Sequence, residues 1–215
     1  MNKYLLLTLL WAAWCFLHSA MISRAVTEWL KNAFGDSFRY YRLVFNAVAL
    51  VTLIPVILFG ASVRGPEILE LRGWLRVPQV ALVASAVFLF LAGGMHYDAL
   101  QFLGIRQIRD HESGKGLTES GGLDTRGILG VVRHPWYAGG ILIVWARDID
   151  VSVLLTNLVL TAYFIIGSWL EERKLVVEFG DRYRQYQREV SMLFPVKWLR
   201  RITGKEMRNS GERIQ

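Results

Sequence analysis

The sequence predicts an all-α integral membrane protein of about five transmembrane helices, the last two forming a hairpin, with a cytosolic helical tail. Three observations predict this. The 215 residues are 53% hydrophobic with a mean hydropathy of +0.31, too apolar for an ordinary soluble domain. The apolar residues gather into four runs without Asp, Glu, Lys or Arg, 4–23, 43–63, 77–97 and 151–170, of 20, 21, 21 and 20 residues. About 20 such residues cross a bilayer core as a helix. With a fifth helix within 135–146, the Lys and Arg divide into 5 on one side and 20 on the other. Cytoplasmic loops carry the positive excess, so the third loop and the tail are expected to face the cytoplasm.

The first run follows Lys3 and contains "HSA", so a cleaved secretory signal is one alternative. A signal's apolar core is shorter than this run, and further spans follow at once, which favours a helix that stays. Cys15 is the only cysteine and sits inside the run, so neither an intramolecular disulfide nor a zinc-finger pattern is available. The connector "RAVTEWLKNAFGDSFRYYR" mixes aromatics with Arg and Lys and reads as an interfacial segment. Pro55 falls inside the second helix, where neighbouring helices can accommodate a kink. The second loop, "RGPEILELRGWLRVP", is short and reads as external.

The third loop, 98–132, has five glycines within 114–127, which makes its middle a turn region, either disposable or a lid. The tail from Glu171 continues a helical pattern expected to break at Gly180. The whole, 1–215, reads as one membrane domain: three helices in 1–97, the loop, then a hairpin and tail in 133–195. The net charge of +7 orients the protein and suits anionic lipid heads. No nucleic-acid motif accompanies it, and no metal-spaced His cluster or phosphate-cradling Gly-rich fingerprint is present.

Two edges carry chemistry. In "GVVRHPWYAGG", Arg133 and His134 precede an apolar stretch, 135–146, too short to span alone. Either they lie inside a longer helix, or a short helix starts at Pro135, where a missing N–H costs nothing. The second arrangement leaves Arg133 and His134 at a helix start, a place suited to an anion such as a carboxylate. Gly139 and Gly140 permit close approach of another helix or a ligand. Glu171 and Glu172 form the other edge. Snorkelling towards lipid phosphates explains the first pair, and a helix end entering water explains the second. The alternative is that the hairpin brings the two edges together, with Tyr137 on the face of His134. Ionisable residues at membrane depth are functional candidates.

"VRHPWYAGG", an apolar hairpin, and "LEERKLVVEFGDRYRQYQREVSMLFP" together resemble the integral-membrane methyltransferases, including the isoprenylcysteine carboxyl and phospholipid methyltransferases. Arg133, His134, Pro135, Tyr137, Gly139, Glu171, Glu172, Phe179, Gly180, Tyr183, Tyr186 and Pro195 match the family pattern position by position. "FLHSAMISR" and "HYDALQFLGIRQ" look like the bacterial branch of methanethiol S-methyltransferases and the proteins called NnrU. The chain departs from the family at Leu129, where Tyr is common, and the segment 96–107 looks about two residues longer than in that branch.

The resemblance implies S-adenosylmethionine as methyl donor, held between the last two membrane helices and the tail. It also implies a small-molecule or lipid-like acceptor entering from the membrane. Arg133 or His134, with the helix start near Pro135, is expected to take the donor's carboxylate, with Gly139 giving room. Glu171 or Glu172 is expected to take its ammonium or ribose hydroxyls, and Tyr137 to line the adenosine. Tyr183 and Tyr186 either close the cytosolic side or pack at the interface. Arg133, His134 and Glu172 are the candidate catalytic residues.

A carboxylate acceptor needs no base, whereas a small thiol or an amine must lose a proton to His134, Glu172 or His96. The acceptor reads as a small thiol or a lipophilic carboxylate or amine. A non-catalytic membrane assembly or regulatory protein on the same scaffold is the rival, and a transporter is disfavoured for want of paired half-repeats. Oligomeric state is left open by the sequence.

Overall fold

The computed structural model describes residues 2–96, 100, 103–109 and 122–211. The glycine-rich middle of the third loop, with its alternative of lid or disposable turn, lies outside the described residues. Four helical stretches are long and apolar enough to cross a membrane: Lys3–Met21, Arg24–Ser62, Gly73–Gly94 and Val151–Phe179.

α1 (Lys3–Met21) starts where Asn2 accepts a hydrogen bond from the backbone N–H of Tyr4 at 3.1 Å, a standard way to satisfy a first-turn donor. α2 (Arg24–Phe34) is capped by Ser23 and exposes Trp29 and Phe34. A 3₁₀ turn over Gly35–Tyr40 then delivers the chain into α3 (Tyr41–Ser62), which contains Pro55 without ending there. After α4 (Arg76–Gly94) and the short α5 (Ile105–Arg109) come the eleven residues of α6 (Pro135–Trp145). At about 1.5 Å per residue, α6 covers roughly half of a ~30 Å hydrocarbon core. Of the two arrangements open in the sequence, the helix beginning at Pro135 is the one found.

α7 (Val151–Phe179) runs unbroken through Glu171 and Glu172 and ends before Gly180, whose φ of +59° turns the chain into α8 (Asp181–Glu189). Its 29 residues exceed what the hydrocarbon core needs, so its last turns rise past the membrane edge. α9 (Val196–Gly211) follows.

A two-stranded ribbon has no counterpart in the sequence reading. β1 (Glu67–Leu69), in the second loop, pairs antiparallel with β2 (Ile149–Asp150), in the turn between α6 and α7, with Glu67 opposite Asp150. Asp150 then caps α7 by accepting from the N–H groups of Ser152 and Val153. The ribbon ties the far ends of α3 and α7 together.

The buried core is a seam, not a centre. Leu7, Trp11 and Cys15 of α1 meet Val56 and Val63 from α3 and its end, with Leu160 of α7. The outward faces of the helices stay exposed, Phe16 of α1 at 76% and Leu91 of α4 at 68%, as suits helices whose outer surface is lipid. Helices in lipid associate through close packing, and small residues allow it. α6 illustrates this on two sides. A Cβ added at Gly139 would meet the Ala86 carbonyl oxygen and the Phe90 ring of α4 at 3.3 Å, and one at Gly140 would meet the Phe164 ring of α7 at 3.0 Å. The two glycines set α6 between α4 and α7. Gly140→Leu is therefore expected to destabilise the fold by about 1–3 kcal/mol, the usual range for overpacking, read as a lower midpoint in thermal unfolding in detergent.

Candidate active site

The site is built where α6 begins. Residues 132–134 lie extended beside 190–192: the N–H of Arg133 donates to the Ser191 carbonyl at 2.9 Å and that of His134 to the Met192 carbonyl at 3.1 Å. Pro135 at the first helical position then turns the chain into α6. This clamp fixes both side chains before any side-chain contact is counted.

Arg133 and Glu172, 39 positions apart in sequence, are in contact. Arg133 donates from Nε and Nη2 to Oε1 of Glu172, at 2.6 and 2.5 Å. Nη1 donates to the Gln187 carbonyl at 3.1 Å and to the Val190 carbonyl. His134 Nε2 lies 3.2 Å from the same Oε1. A carboxylate only accepts, so that nitrogen carries the hydrogen. Gln187 donates to the other oxygen, Oε2, at 2.8 Å. Arg133, His134 and Glu172 are 9%, 4% and 7% exposed. Headgroup snorkelling and a helix end entering water, the bland readings of these residues, do not describe this arrangement. A buried ion pair persists when its remaining donors and acceptors are also satisfied, and here they are.

Other candidates divide in two. Tyr137 packs its ring against His134, centroids 5.7 Å apart, and against Phe164 at 6.2 Å. It fits because α7 offers Gly167 there, where a Cβ would stand 3.2 Å from the Tyr137 ring. Glu171 is half-buried and makes no ion pair or hydrogen bond among the described residues. Tyr183 is 1% exposed, and its hydroxyl is buried without a hydrogen-bond partner among the described residues. Burial, together with the Glu172 carboxylate beside it, pushes that phenol above its ordinary range. Tyr186 instead donates to the Leu129 carbonyl at 2.5 Å and so pins the segment leading into Arg133. Gly139 faces α4, not the Glu172 cluster.

Sequence reasoning did not find Gln187, nor Asp124, whose Oδ2 lies 2.9 Å from Nδ1 of His96. Burial pushes the Asp124 carboxyl up. Hydrogen bonds from the Arg126 backbone and side chain and from His96 outweigh it and hold the group below the usual aspartate range. Its contribution to stability is therefore complete above the unfolded value, about 3.9, and disappears as pH falls through the lower folded value.

The fold and this rim define a polytopic helical membrane protein with a buried ionic cluster at one membrane edge. The chain belongs to the NnrU family, whose profile, described as NnrU protein, matches residues 6–200. It is 30% identical over 208 residues to methanethiol S-methyltransferase 1 of Bradyrhizobium diazoefficiens, covering 90% of this chain and 67% of that protein. It is 44% identical over 77 residues to the methanethiol S-methyltransferase of Pseudomonas deceptionensis, covering 35% of this chain and 29% of that one. The protein-S-isoprenylcysteine O-methyltransferase of Schizosaccharomyces pombe is 40% identical over 80 residues, covering 34% of this chain and 33% of that one. The chain thus spans about two thirds or less of the length of these relatives. No solved structure gives a significant match. The resemblance to membrane methyltransferases seen in the motifs holds across the chain.

Removing one partner of the buried pair strands the other. Arg133→Ala is expected to cost about 3–5 kcal/mol of stability, measured by unfolding in mixed micelles. Glu172→Gln, which keeps an acceptor oxygen, is expected to cost less. Acid titration supplies a second check: the difference in stability between wild type and Asp124→Asn is expected to be largest above about pH 4 and to shrink below it.

Proposed function

We propose that the protein is an S-adenosylmethionine-dependent membrane methyltransferase acting on a small thiol or a lipophilic carboxylate or amine. The observation that carries this reading is the buried Arg133–Glu172–His134 cluster where α6, α7 and α8 meet, in a chain whose relatives are named as methyltransferases. Six of them are methanethiol S-methyltransferases by name, which favours the small thiol.

The residues present suit the donor's chemistry. It bears a carboxylate, an ammonium, a ribose diol, an adenine and a sulfonium. Glu171 offers an uncommitted carboxylate to the ammonium or the diol. Tyr183 offers a buried hydroxyl with no partner among the described residues, an atom that costs stability unless a ligand satisfies it. Tyr137 offers an aromatic wall, and His134 with the start of α6 offers the positive end of a helix to the carboxylate. Arg133 is engaged by Glu172 and two backbone carbonyls. In this assignment it positions Glu172 and leaves the donor's carboxylate to His134 and the helix start. The bound donor supplies an electrophilic methyl carbon. The protein aligns the acceptor with it and excludes water, and alignment of this kind lowers barriers substantially.

The rim that carries the site also carries most of the Lys and Arg, which supports a cytoplasmic position for it and for the tail. Anionic lipid headgroups are the expected neighbours of that rim.

Calorimetry on the purified protein in nanodiscs is expected to show one S-adenosylmethionine bound per chain. Glu171→Ala or Tyr137→Ala is expected to weaken binding about tenfold or more, about 1.4 kcal/mol per tenfold. Tyr183→Phe is the sharper test. Deleting an unsatisfied buried hydroxyl should leave the donor-free protein as stable or more so, while weakening donor binding by about 0.5–1.5 kcal/mol. A folded wild type that evolves no binding heat overturns the reading.

A further inference from the structure

His96 lies two residues beyond the end of α4, outside the motifs that mark the rim. Asp124 accepts from three donors: the Arg126 N–H at 3.0 Å, Arg126 Nε at 3.1 Å and His96 Nδ1 at 2.9 Å. An ionised carboxylate only accepts, so Nδ1 carries a hydrogen, and that tautomer of an imidazole has its lone pair at Nε2. Nε2 has no hydrogen-bond partner among the described residues. It lies against Gly127, where a Cβ would come within 2.9 Å and where φ is +55°. Any other residue at 127 would crowd the ring and strain the backbone.

The imidazole also lies beside the site. One turn before it, a Cβ at Gly93 would stand 2.7 Å from the Trp136 indole and 3.1 Å from the Pro135 ring. The turn Gly127–Gly130, which begins under the imidazole, leads directly into Arg133 and His134. The start of α6 thus meets α7 and α8, with Glu172 and Tyr183, and the end of α4, with His96, on neighbouring faces, since Gly139 and Gly140 point about 100° apart.

We propose that His96, oriented by Asp124, is the catalytic base of the methyl transfer, and that the acceptor is a thiol that arrives protonated. This rests on the methyltransferase reading above and names the base and the acceptor class for that site. Nε2 takes the proton from the S–H bond as the sulfur lone pair forms a bond to the donor's methyl carbon. The bond from that carbon to the sulfonium sulfur breaks, and its electron pair leaves that sulfur as a neutral thioether. The imidazolium, paired with Asp124, then releases its proton to water.

Among the described residues, His134 is the other imidazole at the rim, and it suits this step less well. Protonating it would place a second buried cation on the Glu172 oxygen that Arg133 already uses. Among the described residues, the carboxylate behind His96 has Arg126 as its other charged partner, and that side chain is 86% exposed. Pro135 and Trp136, the α6 residues packed beside this turn, do not titrate.

The test uses the full chain in nanodiscs with S-adenosylmethionine and two thiols, an alkanethiol protonated at neutral pH and an electron-poor aryl thiol already ionised there. His96→Gln is expected to lower kcat on the alkanethiol about 100-fold or more, the usual size of a general-base contribution, with little change on the aryl thiol or in donor binding. The remaining alkanethiol activity is expected to climb with pH as free thiolate accumulates. Asp124→Asn, the second variant should His96→Gln fail to fold, is expected to show the same selectivity with a smaller loss. Equal losses on both thiols would make the pair a mere latch and overturn the proposal, as would no loss on either. A wild type that binds the donor and methylates neither thiol overturns the thiol and its base alone. A wild type that does not bind the donor overturns the methyltransferase reading and the proposal with it.

Discussion

The contact between Arg133 and Glu172 is the constraint on which the rim depends. It joins the chain entering α6 to α7, and Gln187 with the carbonyls of residues 187 and 190 extends the same connection to α8 and its end. Three elements distant in sequence therefore share one buried charge pair. Near hydrocarbon this is a demanding arrangement, because charges withdrawn from water must find all their partners inside the protein. All three guanidinium nitrogens of Arg133 meet an oxygen, and both carboxylate oxygens of Glu172 accept. The cluster specifies how the tail docks against the short helix, a geometry that apolar packing alone leaves loosely defined.

The rest of the fold brings that cluster to the membrane edge. α6 is too short to cross, so its first turn starts at one rim and its last reaches the turn that β2 occupies. Gly139 and Gly140 bring α4 and α7 against its two sides, and the ribbon of β1 with β2 holds the opposite ends of α3 and α7. In lipid the outer faces gain little by turning inwards, so close approach at small residues sets the helix arrangement. The exposed Phe16 and Leu91 and the buried Leu7 follow from that one condition.

How much of this was legible follows from what kind of signal each feature leaves. Runs of about 20 uncharged residues mark spanning helices directly, and the proline after His134 marks the start of α6. Arg133 and Glu172 stood out because charges at the edges of apolar runs are costly. The other partners of the pair left no such trace: those of Arg133 are backbone carbonyls, which every residue carries, and Gln187, which donates to Glu172, sits in an ordinary polar helix. β1 and β2 are three and two residues long, too short for an alternating pattern to register. Gly167 looks like any small residue in a span until the Tyr137 ring is placed over it. Asp124 lies 28 positions from His96 in a polar loop, where nothing in composition singles out one carboxylate.

Under the proposed function, a division of labour at the rim follows from these positions. A sulfonium donor is a cation with a zwitterionic tail, and the side of α6 facing α7 and α8 offers it carboxylate, phenol and imidazole. A thiol acceptor is small, weakly polar and soluble in lipid, and it needs one lone pair at the moment of transfer. The α4 side offers that lone pair on a ring whose other nitrogen is held by a carboxylate. Placing the base in the donor cluster would set its positive charge against Arg133 as the proton arrived. Keeping it at the end of α4 beside Asp124 lessens that repulsion, and the positive charge gained by the imidazole forms beside that carboxylate while that of the sulfonium is neutralised. Two charged centres on neighbouring faces at the start of one short helix can then change together, which a single shared cluster could not do without working against its own ion pair.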